Sequence, residues 1–195
     1  MYTRTRLAVS AALAALVLGL GSWTTAQTHG GPERFTAVAV ANNNIATGAG
    51  TVLINVDRWT TDAERNRLVD VLMKEGPRTL LDELTDIRSV GRIRTPDSLG
   101  YDLHYAHETP TEEGGRRIVI ATDRPIGFWE SVNRPRTLQY PFTVIQMQMG
   151  GDGEGRGTMS YATRIRAYGD IIELEDFATS PVMLTEITSS RHDDD

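Results

Sequence analysis

Apolar residues alternate with small or polar ones along most of this chain, the period of strands that bury one face. Phe35–Ala41 and Thr51–Asp57 place Val38, Val40, Val52, Ile54 and Val56 on alternate positions. They predict a strand hairpin joined by the turn-tolerant run Asn42–Gly50. The period then changes. Thr61-Asp62-Ala63-Glu64 matches a capping box, and Leu68, Val69, Leu72 and Met73 follow at helical spacing. Gly76 ends that helix and Pro77 opens another bearing Leu80, Leu81 and Leu84, so residues 61–86 predict a helical hairpin. From Ser89 the strand period returns in Gly91–Thr95, Tyr101–His107, Arg116–Thr122, Thr137–Met149, Gly157–Tyr168, Ile171–Phe177 and Val182–Ile187. Short turns separate these segments, which forces antiparallel pairing because parallel neighbours need long crossovers. The expected fold is mainly β, at the margin of α+β: an antiparallel sandwich or barrel of about 8–9 strands, the helical hairpin inserted after the second.

One hairpin is specified residue by residue. Gly169-Asp170 fits a two-residue turn, pairing Tyr168 with Ile171, Ala167 with Ile172, Arg166 with Glu173, Ile165 with Leu174 and Arg164 with Glu175. Apolar pairs then share one face and opposite charges the other, which accounts for Glu173 and Glu175 without a calcium site. Likewise, strict alternation sets Tyr101, Leu103, Tyr105 and His107 against Asp102, His104, Ala106 and Glu108. Arg92 and Arg94 on the preceding strand are natural partners for the acids.

The amino terminus has a different character. Arg4 and Arg6 precede the apolar run Leu7–Leu20, and Thr24-Thr25-Ala26 supplies small residues for cleavage. The run is shorter than the roughly 20 residues of a spanning helix, which favours a cleaved export signal over a retained anchor. The expected organisation is a signal peptide at 1–26, a flexible segment at 27–33, one β-rich domain at 34–189 and an acidic tail at 190–195. A periplasmic or secreted bacterial location follows, with no stable membrane anchor after cleavage.

Charge and composition narrow the partners. The whole chain carries −6, and losing Arg4 and Arg6 takes it to −8, so phosphate backbones repel it and nucleic acid is not expected. There is no cysteine, which removes disulfides, thiolate zinc sites and lipid-modified cysteine from consideration. No cofactor is expected.

Asp102, His104, His107 and Glu108 form the cluster richest in chemistry, being imidazoles and carboxylates. A strand separates the two histidines and leaves too few ligands for zinc, so no metal is expected. Gly150–Gly157 lacks the Gly-Lys-Ser/Thr of a phosphate loop and is followed by a strand, so it reads as a hairpin tip. No serine lies in a Gly-x-Ser-x-Gly turn. Asp123–Arg136 combines Phe128 and Trp129 with three arginines and two acids, a composition suited to gripping a ligand or to plugging one end of the sheet. Tyr101, Tyr105, His107, Met159, Tyr161 and Thr163 share apolar-phase positions and suggest a half-polar lining.

Gly91-Arg92-Ile93-Arg94-Thr95-Pro96, Leu99–Leu103, Arg116–Ile126, Phe128-Trp129-Glu130 and Tyr140–Thr143 together resemble a group of uncharacterised exported bacterial proteins over about Thr61 to Thr188. The resemblance implies export and a single β-rich domain, and carries no activity or catalytic residue. The expected function is non-enzymatic binding of a small apolar or amphipathic ligand, or of an envelope partner, through Tyr101, Tyr105, His107, Arg124, Phe128, Trp129 and Tyr161. The alternatives are a metal-assisted or carboxylate-based hydrolase using His104 or His107 with Asp102, Asp123 or Glu130, and a structural or assembly protein of the envelope.

Overall fold

The computed structural model describes residues 30–42, 47–126, 141–168, 171–176 and 180–191. The proposed signal peptide, the Gly169-Asp170 turn, Phe128, Trp129, Glu130 and residues 192–195 lie outside them. Ten strands and two helices follow in the order β1 (Glu33–Asn42), β2 (Thr47–Val56), α1 (Asp62–Glu75), α2 (Pro77–Asp86), β3 (Gly91–Arg94), β4 (Tyr101–Leu103), β5 (Tyr105–Pro110), β6 (Arg116–Thr122), β7 (Phe142–Met149), β8 (Glu154–Tyr168), β9 (Ile171–Asp176) and β10 (Val182–Arg191). Mainly antiparallel β with an inserted helical hairpin is therefore the architecture, with ten strands among the described residues.

All the described strands belong to one sheet, ordered β4-β3-β2-β1-β10-β8-β7-β6-β5, with β9 added alongside β8. The ladder is not closed. Its two ends, β4 and β5, are consecutive in the chain and joined by the single residue His104. The His104 backbone N–H donates to Ala121 O of β6 at 3.1 Å, so one bent strand brings the two ends of the curled sheet together. A single cluster packs inside the curl, drawing Phe35, Ile54, Ile93, Leu103, Ala106, Ile120, Met147, Met159 and Leu184 from nine different strands. Neither a sandwich of two sheets nor a fully laddered barrel describes it.

Several elements depart from the sequence expectation for identifiable reasons. β1 and β2 pair from Glu33↔Val56 to Asn42↔Thr47, so the glycine-rich Thr47–Gly50 is strand. Small residues opposite Ala39 and Ala41 complete a ladder whose backbone hydrogen bonds outweigh the local turn preference. Val52, Ile54 and Val56 point inward as expected, but on β1 the buried phase is Phe35, Ala37, Ala39 and Ala41, leaving Val40 exposed. β8 starts at Glu154, so the hairpin tip is confined to Gly150–Gly153. At Gly157 a Cβ would stand 2.3 Å from Gln146 O, a closeness only glycine permits. β10 runs on to Arg191, which pairs with Glu33, so Glu33 belongs to the sheet rather than to a flexible lead-in, and Ser190 and Arg191 rather than to a tail.

The helices begin where the capping box predicts. Thr61 Oγ1 accepts the Glu64 amide at 3.2 Å while the Glu64 carboxylate accepts the Thr61 amide at 2.8 Å. Burial pushes the Glu64 carboxyl up, but the Thr61 amide and the Arg58 guanidinium together bring it below its ordinary value. Gly76, at φ 90°, ends α1 by donating to Val71 and Leu72 carbonyls, and Pro77 opens α2. Arg67 and Glu83 pair across the two helices. The Ile165–Leu174 hairpin register is the expected one throughout. Its charges differ in one detail: Arg166 reaches diagonally to Glu175 at 2.5 Å, and Arg164 lies 3.7 Å from the same carboxylate.

Candidate functional site

The helical hairpin lies on the outer face of the curled sheet. Leu68 and Leu72 of α1 and Leu80 and Leu84 of α2 meet Phe142, Val144 and Ile165 in a second cluster, separate from the interior one. Burying each such side chain stabilises by roughly 1.5–3 kcal/mol. The match between the two surfaces is incomplete. A cleft of about 320 Å³ remains between hairpin and sheet, walled by these leucines with Val69, Val119, Ala121, Val144, Ile165 and Leu174. Exposed Arg65 and Gln146 and half-buried Tyr105 complete its lining.

Burial along the outer face shows where the cleft opens. On β7, Phe142 and Val144 are buried while Gln146 and Gln148 are exposed; on β6, exposure rises from Ala121 through Val119 to Arg117. The helices thus cover one half of this face and leave the other to solvent. The side chains at the opening are polar, and those beneath the helices are not.

His104 and His107 fasten the hairpin at its two ends. His107 Nδ1 lies 3.1 Å from Thr60 O at the entrance to α1, with Nε2 3.6 Å from Asp62 Oδ1. His104 Nδ1 lies 2.9 Å from Ile87 O at the exit of α2, with Nε2 3.6 Å from Asp123 Oδ1. A carbonyl only accepts, so each Nδ1 carries a proton and each Nε2 faces a carboxylate. Thr60 adds two bonds to the same strand, its amide donating to Ala106 O at 2.6 Å and its hydroxyl accepting from the Ala106 amide at 3.0 Å. Neither imidazole lines the cleft. Among the described residues no group of three or more His, Asp or Glu side chains is arranged to hold a metal.

The bend at His104 breaks the expected alternation. Leu103 and Ala106 both point into the interior, so Tyr105 and His107 turn outward beneath the hairpin while Tyr101 packs against the interior cluster. The residues read as one half-polar lining therefore occupy different places. Met159 is interior, Tyr105 lines the cleft, and His107 stands beside Tyr105 with ring centroids 6.2 Å apart. Thr163 is buried, its hydroxyl donating to Ser160 O at 2.6 Å. The Tyr161 side chain lies outside the described residues, although its backbone belongs to β8. Burial pushes the Tyr105 phenol up, the nearby Arg65 guanidinium offsetting part of the rise.

Arg124 lies on the loop leaving β6 and does not line the cleft. Its guanidinium grips Asp123 through two bonds of 2.8 Å, holding the Asp123 carboxyl below and its own proton above their ordinary values. The Arg124 carbonyl accepts from the Thr122 and Thr143 hydroxyls at 2.6 and 3.1 Å, which anchors the loop to β6 and β7. Asp102 pairs with Arg92 at 2.9 Å, as the strand register implied. Glu108 instead joins a polar plug at one end of the curl, where Arg116 bonds Glu33 and Glu108 and lies 5.7 Å over the Phe35 ring.

Of the candidate site residues whose side chains are described (Tyr101, Tyr105, His107 and Arg124), only Tyr105 lines the cleft. Arg65 and Gln146 were missed because each reads as an ordinary surface position on its own element. The available signal was the excess of leucine on two helices too short to cover a whole sheet face. Compared with family models, curated proteins and solved structures, the chain matches none.

Proposed function

We propose that this is an exported protein that binds a small apolar or amphipathic ligand in the cleft between its helical hairpin and the outer face of the sheet. One observation carries the reading: between the hairpin and the outer face of the sheet an apolar space of about 320 Å³ opens to solvent beside polar side chains. Ligand sites are commonly concave, about 300–1,000 Å³, mostly apolar and fitted with a few polar groups. Export is supported by the arginine-led apolar run at residues 4–20. The two histidine clasps hold the hairpin over the cleft, so the walls are set before a ligand arrives. The tyrosine and loop site expected from the sequence is thereby moved to the hairpin side, keeping Tyr105.

Titration with decanol, followed by calorimetry, tests the reading. Saturable binding at one site is expected, weakened about tenfold or more, some 1.4 kcal/mol, by Gln146→Trp, which sets a large ring at the opening from an exposed strand position. Circular dichroism unchanged between the two proteins separates blockage from misfolding. Absence of saturable uptake by the unaltered protein, or equal uptake by the variant, would count against the cleft.

A further inference from the structure

The open side of the cleft is basic in a protein that is acidic as a whole. Arg65 lines the cleft itself, in the first turn of α1, where a cation gains nothing from the helix dipole. Beyond the cleft, the ladder places Thr109, Arg117, Gln148 and Arg156 in one row across β5 to β8. The adjoining row is His107, Val119, Gln146 and Thr158, two of whose members line the cleft. Arg117 and Arg156 therefore stand about 7 Å further along the strands than Val119 and Gln146, and about 10 Å from each other across two ladder steps. Both are exposed, as is Arg65. Among the described residues none of the three has a carboxylate within the 4.0 Å of an ion pair. By contrast Arg58, Arg67, Arg92, Arg116 and Arg124 are each paired with an acid.

We propose that the ligand is a single-chain amphiphile with an anionic headgroup, its chain in the cleft and its headgroup held by Arg65, Arg117 and Arg156. The proposal rests on the cleft reading above and adds the headgroup to it. Size agrees with a medium-length chain, since a cavity of roughly 150 Å³ already lodges benzene and this one is about twice as large. Charge complementarity supplies the rest. An alkyl tail satisfies the leucine walls but leaves three guanidinium groups without an anionic partner among the described residues, Arg65 bonding only the Asn66 amide oxygen at 3.1 Å and the Tyr105 phenol, whereas a carboxylate or phosphate supplies one at the point where the chain emerges. A cationic amphiphile fits the same walls and is repelled at the opening.

The test compares decanoate, decyl phosphate, decanol and decyltrimethylammonium on the protein purified as the cell produces it. The same four are applied to the triple variant Arg65→Gln, Arg117→Gln, Arg156→Gln, whose substitutions all fall at exposed positions and leave the apolar walls intact. Decanoate should bind roughly fivefold to twentyfold more tightly than decanol, as expected for one or two exposed ion pairs, with the preference shrinking as salt is raised. The variant should lose that preference and keep its decanol affinity. A carboxylate-selective site favours decanoate over decyl phosphate and a phosphate-selective one the reverse, and either supports an anionic headgroup. Equal binding of decanoate and decanol, or a preference that survives in the variant, overturns the headgroup proposal while leaving the cleft standing. Failure of all four amphiphiles to bind overturns both.

Discussion

Replacing Arg116 by methionine removes the centre of the polar plug, and the consequence follows from its burial. The Glu33 side chain is fully buried, and Arg116 and Glu108 are only 16% and 18% exposed. Burial pulls the Arg116 proton affinity down, yet the bonds to Glu33 and Glu108 outweigh it and leave the group above its ordinary value. Arg116→Met leaves the Glu33 carboxylate inside the protein with only Arg191, half exposed and 3.6 Å away. Breaking a buried pair by removing one partner costs about 3–5 kcal/mol. That is a large share of the roughly 5–15 kcal/mol that holds a domain folded. At about 2–4 °C per kcal/mol for this size, the melting temperature should fall by roughly 6–20 °C. Urea denaturation monitored by circular dichroism measures the free energy directly. The double replacement Glu33→Gln with Arg116→Met should recover part of the loss, because the fully buried charge is then gone while Glu108, 18% exposed, keeps Arg191 at 3.9 Å. A loss below about 1 kcal/mol in the single variant, the value of an exposed pair, would refute the reasoning.

Two further outcomes follow from the clasps and caps. Thr61→Ala deletes the acceptor for the Glu64 amide and should cost about 1 kcal/mol, seen as a lower urea midpoint with unchanged slope. Asp123→Asn tests the depressed Asp123 carboxyl, whose cause is first the Arg124 guanidinium. A carboxyl lowered on folding stabilises above its unfolded value, near pH 4, and loses that contribution as pH falls through the folded value. The gap in stability between parent and variant should therefore be constant above about pH 5 and close below about pH 4 in acid-unfolding curves.

Much of the architecture was legible because it rests on local rules. The capping box at Thr61, Gly76 followed by Pro77, and the Tyr168↔Ile171 register each follow from side chains within a few residues of one another. The bend at His104 was not legible, since it depends on β4 pairing with β3 while β5 pairs with β6, contacts distant in sequence. That one bend reversed which side of the sheet Tyr105 and His107 face and dissolved the half-polar lining. The phase of β1 failed for a similar reason. Valine looks like core, but Ala37, Ala39 and Ala41 face an interior that Phe35 of the same strand shares with methionine and isoleucine side chains from other strands. The cleft itself is a mismatch between two surfaces, and no residue of either announces it. Leu68, Leu72, Leu80 and Leu84 were visible as apolar stripes, but not the incompleteness with which the sheet covers them.

The most direct measurement is methyl NMR of the protein, labelled at Ile, Leu and Val, during titration with decanol. The cleft account predicts shifts concentrated at Leu72, Leu80, Leu84, Val144 and Ile165, with Ile54, Ile93 and Ile120 of the interior unmoved. Shifts concentrated on the interior methyls, or none at saturating decanol, would contradict it.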